Sequence, residues 1–234
     1  MTDLNGKTAI ITGASSGIGA KIAEKLSIQG ANVVLAARRK QKLDTIVEHI
    51  NNTGNGQALG IVTDVSNRSD VEKLVKQATE TFGNIDIYVN NAGLMLSSVV
   101  QDSKVDDWED MIDVNIKGVL YGINTVLPNM VERSTGHIVN ISSVSGHEVT
   151  KVSTVYSATK FAARAISMGL EKELAHTGVR VTNISPGMVD TDLASSRTSK
   201  GRKPLLTDDI ANAVVYAVTQ PDYVNVNEIT VRPV

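Results

Sequence analysis

Short apolar runs recur along the chain, and longer stretches with apolar residues at helical spacing lie between them. The first run is followed by a glycine turn, and similar runs return through the whole sequence. Runs of about 4–8 apolar residues bounded by turn signals are typical of buried β-strands. We therefore expect strands at residues 7–12, 32–37, 57–62, 85–89, 137–141, 179–184 and 228–231.

The stretches between these runs place apolar residues at i, i+3 and i+4, the spacing of one helix face. Ser103 and Asp106 form a capping-box pattern that opens a long helical stretch reaching about residue 133. Pro128 is expected to bend or end that stretch, because proline lacks the backbone N–H. The predicted helices cover residues 18–29, 40–50, 67–82, 103–133 and 155–176, with Thr207 capping one more.

Strands alternate with helices, and no two strands are joined by a tight hairpin. This order predicts a parallel sheet covered on both faces, since parallel strands need long crossover connections. We find no linker, internal repeat or low-complexity block. The fold class is therefore α/β, with residues 1–234 forming a single Rossmann-like, doubly wound domain of about seven parallel strands. Residues 186–206 lack a helix or strand pattern, which favours a substrate-side lid loop over a disordered one.

Composition excludes several classes of protein. Of the 234 residues 41% are hydrophobic and 21% charged, and the net charge is −2, which gives no global attraction to nucleic acid or to a membrane. The absence of cysteine excludes disulfides and thiolate chemistry, and the histidines lack metal-ligand spacing, so we expect no metal. No signal peptide or membrane span is evident, which predicts a cytoplasmic protein.

A glycine-rich turn lies between the first predicted strand and the first predicted helix. Glycines at such a turn let the backbone approach a pyrophosphate, whose charge meets the N–H groups of the helix start. The spacing here is G-x-x-x-G-x-G, whereas the dinucleotide fingerprint is G-x-G-x-x-G. The turn consists of Gly13, Ala14, Ser15, Ser16, Gly17, Ile18 and Gly19.

The end of the second predicted strand bears on the choice of cofactor. An NAD site usually has an acidic residue about 20 residues past the glycines, to accept from the ribose hydroxyl. Here we expect Ala37 at that position, followed by Arg38 and Arg39. Guanidinium groups in place of a carboxylate suit a 2′-phosphate, so NADP(H) is preferred over NAD(H). The alternative is that the two arginines merely solvate a helix start.

Tyr156 and Lys160 lie four residues apart in a predicted helix and so share one face. An ammonium beside a phenol favours the phenolate, which would bring the phenol pKa toward neutral pH, where acid–base catalysis is most effective. The pair alone is weak evidence, because Tyr and Lys often fall four apart on a helix surface. The surrounding motifs strengthen it.

Five motifs follow one another along the chain: the glycine turn, Asn90-Asn91-Ala92-Gly93, Ser142-Ser143, Tyr156 with Lys160, and Pro186-Gly187. In this order and spacing they resemble the short-chain dehydrogenase/reductase family over nearly the whole chain. The segments around Trp108 and 127–133, with the ending 221–234, resemble its subgroup of NADP-dependent 3-hydroxy acid and serine-type dehydrogenases and their clavaldehyde-reducing relatives.

The resemblance implies a role for each matching residue. Tyr156 would be the acid–base, Lys160 would hold the nicotinamide ribose, Ser143 would bond the substrate oxygen, and Asn115 would anchor a proton-relay water. Ser143 is preferred to Ser142 for its separation from the tyrosine. The residues that the resemblance assigns to the cofactor are Gly13, Ser15, Ser16, Gly17, Ile18, Gly19, Arg38, Arg39, Asp64, Val65, Asn91, Ala92, Gly93, Tyr156, Lys160, Pro186, Gly187, Val189 and Thr191.

Substrate contacts are expected from residues 94–97, from residues 144–152 with His147 and Glu148, and from residues 188–206. The last segment contains the basic residues Arg197, Lys200, Arg202 and Lys203. These residues either steer an anionic substrate such as a hydroxy or keto acid, or form the solvated face of a lid.

Three functions remain open from the sequence. The leading one is an NADP(H)-dependent oxidoreductase that interconverts a small alcohol, such as a 3-hydroxy acid, and its carbonyl compound. The alternatives are a β-ketoacyl carrier-protein reductase and a non-catalytic NADP(H)-sensing module. The helix at 155–176 is too apolar for a helix with one solvent-exposed face, so we expect another subunit to cover its second face. The protein is therefore expected to be a homodimer or homotetramer.

Overall fold

The computed structural model describes residues 2–191 and 202–234. Within these residues the chain forms seven strands: β1 (Thr8–Thr12), β2 (Asn32–Ala37), β3 (Ala58–Val62), β4 (Ile87–Asn90), β5 (Gly136–Ile141), β6 (Val179–Pro186) and β7 (Glu228–Val231). They form one sheet in the order β3-β2-β1-β4-β5-β6-β7, and all neighbouring strands are parallel. The predicted single Rossmann-like α/β domain is confirmed.

Helices cover both faces of the sheet, and each face has its own apolar core. The helices are α1 (Gly17–Ile28), α2 (Lys40–Thr53), α3 (Arg68–Phe82), α4 (Val105–Ile112), α5 (Gly118–Glu132), α6 (Thr154–Glu173) and α7 (Thr207–Val218). One core joins Ile22, Leu43 and Val214 from α1, α2 and α7 to β1 and β2. The other joins Leu74 and Ile123 from α3 and α5 to the opposite side of the strands.

The long helix predicted at 103–133 is divided differently. A π-helical segment, Asp113–Lys117, separates α4 from α5. The capping-box prediction is wrong: Ser103 has a left-handed φ of 50°, and Lys104 precedes the first turn without a side-chain cap. Pro128 does not end α5, because the buried Val126 and Met130 on either side of it hold the last turn against the sheet.

Several other element ends differ from the prediction by one to three residues, and two of them have a clear cause. β6 continues through Pro186, because Pro186 pairs with Val231 of β7 and the Gly187 N–H donates to the Val231 carbonyl at 2.7 Å. α6 ends at Glu173, three residues before the predicted end, and His176 beyond it has a φ of 68°. Long-range pairing and a left-handed turn residue therefore set these boundaries.

The predicted lid loop at 186–206 is described only at its two ends. Leu205 donates its N–H to the Met188 carbonyl at 2.9 Å, and Asp190 donates to the Leu205 carbonyl at 2.8 Å. The two ends are thus tied together, whereas residues 192–201 lie outside the described residues. Within residues 2–191 and 202–234, no helix has the length and apolar composition needed to cross a membrane.

The strand order places β1 between β2 and β4, so the connections that leave these strands diverge. In open α/β sheets such a divergence opens a crevice at the carboxyl ends of the strands, where ligands bind. The glycine turn after β1, the segment after β4 and the serines after β5 all reach this edge.

Candidate active site

A cavity of about 1020 Å³ occupies the crevice at the carboxyl ends of the strands. Pockets of about 300–1,000 Å³ are typical of small-molecule and cofactor sites. The predicted site residues that line it are Gly13, Ser15, Ser16, Gly17, Ile18, Arg38, Arg39, Asp64, Val65, Asn91, Ala92, Gly93, Ser143, Tyr156, Lys160, Pro186, Gly187, Val189 and Thr191.

The glycine turn is clamped to the segment after β4. The Thr12 hydroxyl accepts from the Asn91 and Ala92 N–H groups, both at 3.0 Å, and the Asn91 amide donates to the Thr12 carbonyl at 2.8 Å. Gly13 has a φ of 66°, and a Cβ there would lie 2.8 Å from the Ala92 Cα. Only glycine satisfies both conditions, so the clamp brings bare backbone to the cavity wall.

The two arginines after β2 stand at the same end of the cavity as the glycine turn. Arg39 donates from Nε and Nη2 to the Ser15 hydroxyl at 3.1 and 2.8 Å, and from Nη2 to the Ser16 hydroxyl at 2.7 Å. Ala37, the last residue of β2, is apolar and buried. The donor set at this end is therefore cationic and hydroxylic and suits an anionic group.

Asp64 and Val65 follow β3 and form the adjoining wall. One Asp64 oxygen accepts from the Ser66 N–H at 3.0 Å and from the Ser66 hydroxyl at 2.7 Å, which fixes the turn into α3. Val65 packs against Gly118 at the start of α5, where an added Cβ would lie 3.0 Å from a Val65 methyl.

Tyr156 and Lys160 lie on α6, and both are buried, each with 6% exposed surface. The Lys160 Nζ stands 5.9 Å from the centre of the Tyr156 ring and donates to the Ile141 carbonyl at 2.9 Å. Burial lowers the pKa of Lys160 to about 8, because an ammonium loses its hydration inside the protein. At neutral pH the ammonium form still predominates.

Asn115 lies in the π-helical segment and is 1% exposed. Its carboxamide accepts from the Leu94 N–H at 2.8 Å and donates to the Leu94 carbonyl and the Thr159 hydroxyl, both at 2.9 Å. These bonds tie the segment after β4 to α6. The Asn115 side chain is not part of the cavity wall, whereas its neighbour Val114 is.

The two serines after β5 have different partners. The Ser142 hydroxyl is buried and donates to the Lys160 carbonyl at 3.0 Å. The Ser143 hydroxyl accepts from the Ser145 N–H at 3.1 Å, and its contact with the Pro186 carbonyl is long, at 3.5 Å. Both residues line the cavity, and Ser143 has the more weakly held hydroxyl proton.

Several expected substrate contacts lie elsewhere. Among the described residues, the cavity wall includes Val144 and Thr150 but neither His147 nor Glu148. The His147 ring meets Ser185 and Glu228, and Glu148 pairs with Arg232. Gly19 also stands back from the cavity; a Cβ there would lie 2.5 Å from the Asn91 amide nitrogen, so this glycine allows α1 to pack closely.

Two of the four basic residues of the predicted lid, Arg202 and Lys203, lie among the described residues. Arg202 lines the cavity, and the neighbouring Lys203 is exposed. Arg197 and Lys200 lie outside the described residues. In the described part of the chain, no group of three or more His, Asp or Glu is placed to hold a metal ion.

Some lining residues carried no recognisable motif. Thr63, Val114 and Ile141 all border the cavity, and Ile141 presents the carbonyl that receives Lys160. Thr63 directly follows β3, and Ile141 ends β5, so a search of strand ends, rather than of motifs, would have found both residues. Val114 lies in the π-helical segment next to Asn115, where the sequence pattern gave no signal.

A Rossmann-like sheet with a glycine turn, two arginines and a buried Tyr–Lys pair in one crevice defines a dinucleotide-dependent oxidoreductase. The chain matches the short chain dehydrogenase family model over residues 7–202. It belongs to the short-chain dehydrogenase/reductase family, and the sequence-based prediction of an oxidoreductase of this family is confirmed.

Individual relatives agree. The chain is 55% identical over 234 residues to an uncharacterized oxidoreductase of Staphylococcus aureus (strain MW2), with 100% of both chains covered. An alcohol dehydrogenase from Thermococcus sibiricus complexed with 5-hydroxy-NADP superposes with a TM-score of 0.90 at 31% identity, covering 97% of each chain. The closed form of serine dehydrogenase complexed with NADP+ gives a TM-score of 0.88 at 35% identity, covering 96% of this chain and 94% of that one.

Proposed function

We propose that this protein is an NADP(H)-dependent oxidoreductase that interconverts a small alcohol and its carbonyl compound, with 3-hydroxy acids as the leading substrate class. One observation carries the proposal. Tyr156 and Lys160 face the same cavity as the glycine turn and the two arginines. A proton donor and a dinucleotide-sized anion site thus share one space.

The cofactor end of the cavity supports NADP(H) in preference to NAD(H). Arg38 and Arg39 would hold the 2′-phosphate, and the Ser15 and Ser16 hydroxyls already accept from Arg39 at this point. The apolar Ala37 leaves no carboxylate to repel that phosphate. Similar proteins were solved with NADP+ and with 5-hydroxy-NADP, which supports the same choice.

The nicotinamide, when bound, supplies or accepts the hydride. The protein handles the proton: Tyr156 gives it to the carbonyl oxygen during reduction and takes it from the hydroxyl during oxidation. The buried Lys160 ammonium stabilises negative charge on the phenol oxygen, because charge is poorly screened inside the protein. The long contact from Ser143 to Pro186 lets its hydroxyl turn and donate to the substrate oxygen, where charge develops.

Asn115 completes the proposed catalytic set from directly behind the cavity wall. Its bonds to Leu94 and Thr159 hold the loop after β4 against α6, next to Gly93 and Lys160. The π-helical turn around it leaves the regular helix hydrogen-bond pattern, which is where a relay water toward Lys160 would be anchored.

The acidic substrate class is supported by Arg202. Its side chain lines the cavity, and Lys203 lies exposed beside it. A guanidinium at the mouth attracts and orients a carboxylate. The likeness to serine dehydrogenase, whose name denotes an amino acid substrate with a hydroxyl, points to the same class.

A spectrophotometric panel tests the proposal. The purified protein with NADPH or NADP⁺ is offered aldehydes, ketones, 3-hydroxy acids, serine and threonine analogues, and acyl thioesters. Tyr156→Phe should lower kcat about 10³-fold, because the phenol proton is lost while the ring stays. The Kd for NADPH should change by less than about threefold.

Tyr216→Phe on α7 is the matched control, since Tyr216 is 49% exposed and outside the cavity. Turnover of thioesters alone would favour the β-ketoacyl carrier-protein reductase. NADPH binding without any turnover would favour the sensing module and would end the catalytic proposal.

We also propose that α6 is covered by a second copy of the chain. Phe161 and Met168 on this helix are 39% and 47% exposed, and Leu120 on α5 is 44% exposed. Exposed apolar side chains of this size on adjoining helices are typical of subunit contacts. The molar mass from light scattering distinguishes a dimer from a tetramer.

A further inference from the structure

The carboxylate of Glu228, at the start of β7, meets side chains from three other elements. Arg164 of α6 donates to it from Nε and Nη2 at 2.8 and 3.1 Å. Asn183 of β6 donates at 3.0 Å, and the His147 Nε2 lies 3.1 Å from the same oxygen. The hydrogen bond from Arg164 is the main cause that lowers the pKa of Glu228, so this carboxylate, here called the Glu228 hub, is anionic at neutral pH.

Each of these elements leads to a group in the proposed active site. Arg164 lies one helical turn after Lys160 on α6. Asn183 also bonds the Ser185 hydroxyl at 2.9 Å, directly before Pro186. The part of the cavity wall at Lys160 and the part at Pro186 are therefore both connected to Glu228.

His147 connects Glu228 to the turn that carries Ser143. The Gly146 N–H donates to the Ser143 carbonyl at 2.8 Å, and the His147 N–H donates to the Val144 carbonyl at 3.0 Å. The His147 ring also lies 3.1 Å from the Ser185 hydroxyl. Movement of the His147 ring would consequently be transmitted to the Ser143 turn through a few short bonds.

We propose that Glu228 is a positioning residue for the reaction: its carboxylate holds α6, β6 and the Ser143 turn in the arrangement that the chemistry needs. The catalytic part of this inference rests on the proposed function. Glu228 itself does not touch the cavity, so it acts through His147, Asn183 and Arg164. Misplacing a catalytic group by about 1 Å can cost about a hundredfold in rate.

The chain offers a matched control in the same place. Glu148 and Arg232 form an ion pair at 2.9 Å that also joins the Ser143 loop to the segment after β7. Their side chains are 54% and 52% exposed, and within residues 2–191 and 202–234 the two side chains bond only each other. Exposed ion pairs of this kind contribute little to stability. Arg232→Gln therefore removes one connection between the Ser143 loop and the segment after β7 and leaves the bonds of Glu228 in place.

The experiment compares Glu228→Gln, His147→Asn and Arg232→Gln with the wild type. Two quantities are measured: kcat and KM in the NADPH assay, and hydrogen exchange of the backbone amides in residues 143–148. In Glu228→Gln, kcat should fall about tenfold or more while the KM for NADPH changes less than about twofold. Exchange at the Ser143 turn should become about tenfold faster.

His147→Asn should move both quantities in the same direction by less, and Arg232→Gln should leave both within about twofold of the wild type. His147→Asn keeps the Arg164–Glu228 pair intact, so it carries the test if Glu228→Gln does not fold. Unchanged exchange in Glu228→Gln and His147→Asn overturns the inference, as does an equal effect of Arg232→Gln. A fall in stability with unchanged kcat also overturns it.

The two proposals fail differently. If the wild type turns over no substrate of the panel, the proposed function fails, and the exchange rates alone decide whether Glu228 holds the Ser143 turn. If the wild type is active and the variants match it, only the positioning role is lost.

Discussion

The two halves of the sheet bury different kinds of side chain. β2 is apolar from Val33 to Ala37, and the core of β1 is likewise apolar. The buried strands β4, β5 and β6 instead carry Asn90, Asn140 and Asn183, which pair in register across the sheet. The Asn90 amide donates to the Asn140 carboxamide oxygen at 2.9 Å.

The difference follows from what each half presents to the cavity. In the proposed function, the half of the sheet formed by β1, β2 and β3, here called the nucleotide half, would bind the cofactor through backbone N–H groups and would need small residues that let the chain come close. The half formed by β4, β5 and β6, here called the catalytic half, would use side chains that must be held still in a dry environment, and its strands bury polar groups that bond one another. The proposed cofactor site thus lies on strands with an apolar core, whereas the proposed chemistry lies on strands whose buried polar groups are costly to desolvate.

Lys160 is a buried cationic group of the catalytic half, and its replacement gives the largest expected effect. Lys160→Met should lower kcat/KM about 10³-fold, because no ammonium remains beside Tyr156. The same change should leave the protein as stable as the wild type or more stable at pH 7. Burial lowers the pKa of Lys160 from 10.5 to about 8, so removing the buried ammonium should stabilise the fold by up to about 3 kcal/mol. Loss of the bond from Lys160 to the Ile141 carbonyl should offset part of this gain.

The pH dependence has a definite sign. Between pH 8 and 10.5 the unfolded wild type binds more protons at Lys160 than the folded protein does, so wild-type stability rises with pH in that window. The difference in the free energy of unfolding between Lys160→Met and the wild type should therefore shrink from pH 8 to pH 10.5. Urea denaturation at several pH values measures it, and a variant clearly less stable than the wild type at pH 7 would contradict this account of the buried lysine.

The second test changes the nucleotide half alone. Ala37→Asp places a carboxylate at the end of β2, where it repels a 2′-phosphate and accepts from a ribose hydroxyl. The ratio of kcat/KM for NADPH to that for NADH should fall about a hundredfold, the effect of about 2.7 kcal/mol in charge-assisted bonding. Gln41→Glu, on the exposed face of α2, adds the same charge away from the cavity and should change the ratio less than about twofold. Equal ratios in Ala37→Asp and the wild type would remove Arg38 and Arg39 from the cofactor site.

The third test makes one substitution in each half. Gly13→Ala should destabilise the protein by about 1–3 kcal/mol, since φ is 66° and the new Cβ would lie 2.8 Å from the Ala92 Cα. Gly169→Ala in α6 meets no heavy atom within 4 Å among the described residues of its own chain, so the fold of a single subunit should be stabilised by about 0.5–1 kcal/mol, because alanine loses less entropy in a helix. Denaturant midpoints measure both. The same sign for the two variants would show that the close approach of Gly13 to Ala92 is not rigid.

Local signals in the sequence determined the strands, most of the helices and the residues of the nucleotide half. Strand runs, the glycine turn and the Tyr156–Lys160 spacing each depend on neighbours within a few residues, so they can be recognised without coordinates. Two local signals did not set the helix boundaries they suggested: the Ser103 capping box is absent, and Pro128 lies inside α5 without ending it.

Only the tertiary structure decided which polar side chains meet. Glu228 bonds Arg164 across 64 residues and Asn183 across 45, and Asn115 bonds Thr159 across 44. No periodicity links such positions, because the sheet order brings distant strands side by side after the chain has folded. The sequence alone thus determined the elements and the motifs, whereas the crossing of those elements decided the network that supports the site.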